Sequence, residues 1–96
     1  MNILEALKIE CKKSFDGYGA NGCRPAKIPN NDQSYLRYGA FTVDVTSAVN
    51  ADNLLPLTNS ACHNRLKQLE LMGRVVSRAN PGGSTRWWPS GYRPNQ

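Results

Sequence analysis

The stretch from Thr58 to Val76, TNSACHNRLKQLELMGRVV, decides how the chain reads. Thr58 can cap a helix, and Cys62, Leu66 and Leu69 follow at i, i+4 and i+7, a spacing that gathers apolar side chains on one helical stripe. Gly73 closes the run as a C-terminal cap should. Beyond it the period changes: RVVSRA and STRWWP are short strand candidates joined by NPGG, and Pro89 stands where the second strand must end or become an edge. A helix of about fifteen residues therefore leads into a hairpin. Because an isolated hairpin is marginal in water, its apolar side chains must pack on helices.

Upstream, FTVDVTSAVN (residues 41–50) supplies the helices' first partner. Thr42 is a good cap, Asp44 sits in the first turn, and Val43, Val45 (or Thr46) and Val49 make a short apolar face before NADNLLP breaks the helix. Two helices joined by a connector of moderate length form a loose helix-turn-helix. Still earlier, Leu4, Leu7, Cys11 and Phe15, with Ile3 beside them, predict an amphipathic helix over residues 2–15, capped by Asn2 with Glu5 at the third helical position. DGYGANG (residues 16–22) announces its end. Residues 16–32, which include Pro25 and Pro29, are expected to be a loop, and QSYLRYGAF (residues 33–41) a helical turn followed by a brief extended stretch.

The chain has 96 residues, enough for one core, and its apolar share of 40% with eight Gly and six Pro implies modest stability. It lacks an apolar run of membrane-spanning length, and its start lacks the basic-then-apolar order of a secretory signal. Cys11, Cys23 and Cys62 are odd in number and irregularly spaced, unlike a disulfide framework, so a reducing cytoplasm is the expected location. The net charge is +5, and residues 58–96 account for it: Arg65, Lys67, Arg74, Arg78, Arg86 and Arg93 face a single acid, Glu70. Such a block is usually a solvated face, and it is also the footprint of a polyanion-binding module.

The order helix, loop, extended segment, helix, helix, hairpin resembles the winged helix-turn-helix superfamily. FTVDVTSAVN looks like its second helix, and LTNSACHNRLKQLELMGRVVSR looks like its recognition helix running into a strand. NRLKQLELMGRVV is similar to the recurrent pattern of two leucines three apart, a glycine and a β-branched strand. The likeness covers residues 40–92 well and the first helix loosely; the loop at 16–32 is longer than the fold needs. It implies an α+β winged helix of three helices plus a C-terminal two-stranded β-hairpin wing: first helix 2–15, long loop 16–32, helix-turn-helix 42–73 and wing 74–89, in one domain. It also implies a small transcriptional regulator of a bacterium or phage, reading the major groove of double-stranded DNA with helix 58–72. Some members instead bind RNA or serve as protein docking modules.

With Cys62 as the buried direction and about 100° per residue, Ser60, His63, Asn64, Lys67 and Leu71 fall on the opposite face. Asn64 suits an adenine edge, and Lys67 a guanine or a phosphate. Thr58, Asn59 and Ser60 surround free helix-start amides that can hold a phosphate. Arg65, beside the apolar stripe, is suited equally to a phosphate or to an ion pair with Glu70 or an acidic group elsewhere. Arg78 and Arg86, near the tip at Pro81 and Gly82, suit a minor groove or its phosphates. Of Trp87 and Trp88, one is expected in the core and one at the surface. A homodimer on a two-fold site is expected, since one recognition helix rarely suffices.

Other functions fare less well. His63 beside Cys62 lacks zinc-finger spacing, so neither a metal nor another cofactor is expected. Paired carboxylates, a phosphate-cradling glycine motif and a nucleophile with its base are all missing from the pattern, and no small-molecule ligand is evident, so an enzyme is not expected. The alternative is a protein-binding adaptor or inhibitor using Tyr18, Ile28, Leu71 and one tryptophan.

Overall fold

Three helices and a three-stranded antiparallel sheet make up the computed structural model, which describes residues 1–20, 36, 39–51, 56–79 and 83–92, with 16–20 as backbone alone. In chain order these are α1 (Ile3–Ala20), β1 (Ala40–Phe41), α2 (Thr42–Asn50), α3 (Asn59–Leu71), β2 (Val75–Ala79) and β3 (Thr85–Pro89). The fold is thus a small α+β arrangement.

Asn2 caps α1: its Oδ1 accepts from the Glu5 amide at 2.8 Å, and its Nδ2 donates to Glu5 Oε1 at 3.2 Å. Ile3, Leu7, Cys11 and Phe15 are buried along one stripe, with Ala6 beside them. The helix does not stop at Phe15, however, and continues through Gly17 and Gly19 to Ala20. A glycine costs a helix interior about 1 kcal/mol against alanine, which disfavours elongation without forbidding it once well-packed turns precede. The predicted loop therefore does not begin at residue 16; its remainder, 21–32, lies outside the described residues.

Leu36 is buried in a 3₁₀ turn, and Gly39 donates back to its carbonyl at 3.1 Å before the chain enters β1. The two-stranded hairpin expected from the sequence is present as β2 and β3, and the sheet has one strand more. β1 joins as a third strand, giving the order β1-β3-β2 with Ala40 opposite Trp87 and Phe41 opposite Arg86. β1 is the brief extended stretch expected at the end of residues 33–41; what the local pattern did not show is its pairing with β3.

As the central strand, β3 has both faces covered, so both tryptophans are buried, where one was expected at the surface. Successive side chains leave a strand on opposite faces. Trp87 meets the His63 ring edge-on at 5.5 Å, while Trp88 meets Tyr92 at 5.9 Å. Each indole N–H has an acceptor, Thr42 Oγ1 for Trp87 and the Tyr92 carbonyl for Trp88, as buried tryptophans require.

In α2 the buried residues are Val45, Thr46 and Val49; Val43, assigned to the apolar face, is 52% exposed. Thr42 is the first helical residue rather than the cap, a place taken by Phe41 in extended geometry without a side-chain cap bond. The Thr42 hydroxyl accepts from Trp87 instead, a partner 45 residues away.

Local signals hold well in α3. Thr58 accepts from the Ala61 amide at 3.1 Å, Cys62 and Leu66 are fully buried, and Leu69 packs against the core. At its end Gly73 takes a positive φ of 76°. Its amide donates to Glu70 and that of Arg74 to Leu69, the paired bonds of a Schellman cap. No helix among the described residues is long and apolar enough to cross a membrane.

Candidate nucleic-acid interface

The α3 stripe that buries Cys62 and Leu66 turns Ser60, Asn64, Lys67 and Leu71 outward, and all four are exposed. Their spacing puts them on one edge of the helix, within roughly 60° of each other at about 100° per residue. The helix is held at its start by the Thr58 cap, and Asn59 and Ser60 supply first-turn amides that precede the intrahelical ladder. Thr42, Asn59, Ser60, His63 and Asn64 line a shallow recess of about 400 Å³ there. This combination of hydroxyls, amides and an imidazole can offer several donors to an acceptor-rich ligand.

His63 differs from its neighbours on this face. It is half-buried: its ring edge packs on Trp87, and its Nδ1 lies 3.4 Å from Thr42 Oγ1. The side chain is therefore shared between core and recess rather than projecting freely as the helical spacing suggested. Thr42 and Trp87 belong to this site too. Neither could be found by periodicity, because α2, α3 and β3 bring them to His63 only in three dimensions.

Arg65 leaves the cluster. It is exposed on the other flank of α3, where with Ile3, Leu4, Val49, Leu57 and Met72 it borders a groove of about 680 Å³. Among the described residues Arg65 forms no ion pair with Glu70, whose carboxylate accepts from Ser77 Oγ at 2.5 Å and ties α3 to β2. About 100° of helix separates Arg65 from Asn64, so the two do not address one surface.

The hairpin arginines also divide. Arg78 and Arg86 are directly opposed in the β2–β3 register and so share a face. Arg78 is exposed. Arg86 is half-buried, donates from Nη1 to the Gly39 carbonyl at 2.9 Å, and sits 4.2 Å above the Phe41 ring centroid. Such a cation–π and backbone-bonded guanidinium works inside the β1–β3 junction rather than at a free tip. The tip residues Asn80, Pro81 and Gly82 lie outside the described residues; Gly83 beside them has φ 97° and is exposed.

The structure thus puts Ser60, Asn64 and Lys67 on one exposed edge of α3, with Asn59 and the Thr58 cap at the helix start, His63 half-buried beside them and Arg78 on the hairpin that follows. Leu71 ends that face at 89% exposed, and Met72 beyond it is 65% exposed. No family model, no curated protein and no solved structure matches the chain.

Proposed function

We propose that the chain is a DNA-binding protein of the winged helix-turn-helix kind, a small transcriptional regulator of a bacterium or phage acting in the cytoplasm as a homodimer. The observation that carries the reading is the exposed edge of α3, where Ser60, Asn64 and Lys67 lie opposite the buried Cys62 and Leu66. A capped helix whose polar edge is free and whose apolar edge is anchored is what a major groove accepts. Asn64 pairs with an adenine edge, Lys67 reaches a guanine or a phosphate, and the helix start holds a backbone phosphate. Arg78 on the β2–β3 hairpin takes a neighbouring phosphate. Arg65 and Arg86 contribute to the basic field of the +5 chain.

Fluorescence anisotropy on fragmented genomic DNA from the source bacterium or phage tests this. Binding is expected to weaken steeply between 50 and 200 mM salt, as counterions released by phosphate contacts dictate. No binding even in low salt overturns the reading.

The exposed Leu71 and Met72 at the end of α3 favour one other role, docking to a protein. A single stoichiometric partner whose affinity hardly changes with salt would replace DNA with that function.

A further inference from the structure

Both methionines of the chain, Met1 and Met72, line one groove. It has a volume of about 680 Å³ and lies where the start of α1, the end of α2, the connector and the second half of α3 converge. Arg65, Leu69 and Met72, at i, i+4 and i+7, form its wall on α3 and the helix cap, a wall about 10 Å long at the helical rise per residue. Leu4 of α1 and Leu57 of the connector, half-buried against the core, add to the apolar lining.

Arg65 is the single charged side chain of this lining; it is exposed and has neither an ion pair nor a hydrogen bond among the described residues. No Asp or Glu among the described residues lines the groove. A second copy meeting the groove with its own would bring a second guanidinium and no acid, so charge disfavours that contact. A guanidinium set in apolar surface selects a carboxylate carried on an apolar body, because its fork of N–H donors matches two carboxylate oxygens. Met1 and Met72 are both exposed, and their unbranched thioethers adapt to incoming side chains, as on surfaces that receive peptides. The backbone of the occupant follows from the elements around it. None of the lining residues belongs to a strand, so an extended peptide would find no sheet edge for its N–H and C=O groups. A helix satisfies its own backbone, and roughly two of its turns cover the α3 wall.

We infer that this groove docks an amphipathic helix of a partner protein, whose apolar side chains at i, i+3 or i+4 and i+7 pack on Leu4, Leu57, Leu69 and the two methionines while an Asp or Glu beside them pairs with Arg65. The inference goes beyond the DNA-binding reading and does not rest on it, since the groove is centred on a different flank of α3 from the edge of Ser60, Asn64 and Lys67.

The probe is a displayed library of side-chain-stapled helices of about 14 residues, with leucine fixed at i, i+4 and i+7 and the other positions randomised, selected on the full chain without DNA. Because both methionines line the groove, their two ε-methyl ¹³C signals report its occupancy. Enriched helices are expected to carry Asp or Glu at one fixed offset from the leucines and to shift both signals. Replacing that acid by its amide in the peptide, with the protein untouched, should weaken binding roughly tenfold or more. Arg65→Glu should lose the acidic helix and accept the version that carries Lys in its place. A selection that enriches no helix, or only helices without a preferred acid, overturns the inference. So do helices that leave both methyl signals unmoved or bind Arg65→Glu as tightly as wild type. Methyl signals that move with protein concentration alone would seat a second copy in the groove and overturn it as well. If the wild type binds no DNA, the regulator reading falls and this one stands.

Discussion

Asn50 and Leu57 clasp each other across the connector between α2 and α3: Nδ2 of Asn50 donates to the Leu57 carbonyl, and Oδ1 accepts from the Leu57 amide, each at 2.9 Å. The side-chain amide thus imitates a strand neighbour, satisfying both backbone groups of a half-buried residue and closing the connector. Asn50→Ala is expected to cost roughly 1–2 kcal/mol, the range for losing hydrogen bonds to partly buried groups. Asn50→Asp keeps the acceptor and sets a carboxylate against the Leu57 carbonyl, so it should be no better. Urea denaturation measures both, and an Asn50→Ala protein as stable as wild type would show that packing alone orients α3.

Gly39 leaves no room for a methyl group, because a Cβ there would stand 2.6 Å from the Trp87 carbonyl oxygen, an atom of the central strand. Backbone cannot step aside as a flexible side chain can, and overpacking of this kind costs roughly 1–3 kcal/mol. Gly39→Ala should therefore reach the upper part of that range and loosen the pairing of β1 with β3. Thermal unfolding reads the stability, and amide exchange at Phe41 and Trp87 reads the pairing.

Cys11 is buried, its Sγ donates to the Trp87 carbonyl at 3.2 Å, and burial pushes its thiol from the ordinary 9.0 up to about 12. Between these values the folded chain keeps a proton that the unfolded chain has released, so stability falls as pH rises, by up to about 1.4 kcal/mol per pH unit. Below that window both states hold the proton, and the group adds no pH dependence. Cys11→Ala should remove this part of the alkaline slope. Urea titrations of wild type and variant at pH 8 and pH 10 test it, since equal slopes would contradict the assignment.

Burial of Trp87 and Trp88 sets the fluorescence. Emission should be blue-shifted and acrylamide should quench both rings poorly. Trp87→Phe removes the N–H that Thr42 accepts and part of a filled volume, with an expected cost of about 1–3 kcal/mol. A wild-type spectrum with one freely quenched component would contradict the two-sided cover of β3.

Asn64 and Lys67 should separate base reading from phosphate contact in the same binding assay. Asn64→Ala is expected to cost about 1–3 kcal/mol on the preferred site and little on random duplex. If Lys67 meets a phosphate, Lys67→Ala should weaken both DNAs alike and lower the salt slope by about one. Equal, sequence-independent losses in both variants would remove Asn64 from base readout.

The local rules of the chain were sufficient for much of this molecule. The cap at Thr58, the left-handed Gly73, the stripe of Cys62 and Leu66, the Asn2 cap with Glu5 and the β2–β3 hairpin all depend on residues a few positions apart. The outward direction of Ser60, Asn64 and Lys67 follows from the same helical period. Where distant segments meet, that reasoning had nothing to act on. Phe41 and Arg86 are 45 positions apart, so neither the pairing of β1 with β3 nor the capture of Arg86 by Gly39 and Phe41 carries a local signature.

The sequence alone therefore determined which helix exposes a polar edge, because one turn of backbone relates those side chains. Only the tertiary structure decided that both tryptophans are buried, that Arg65 faces a separate groove and that His63 is tied through Thr42 to Trp87. The physical reason is that burial and hydrogen-bond partnership belong to the space between elements, which periodicity within an element does not encode.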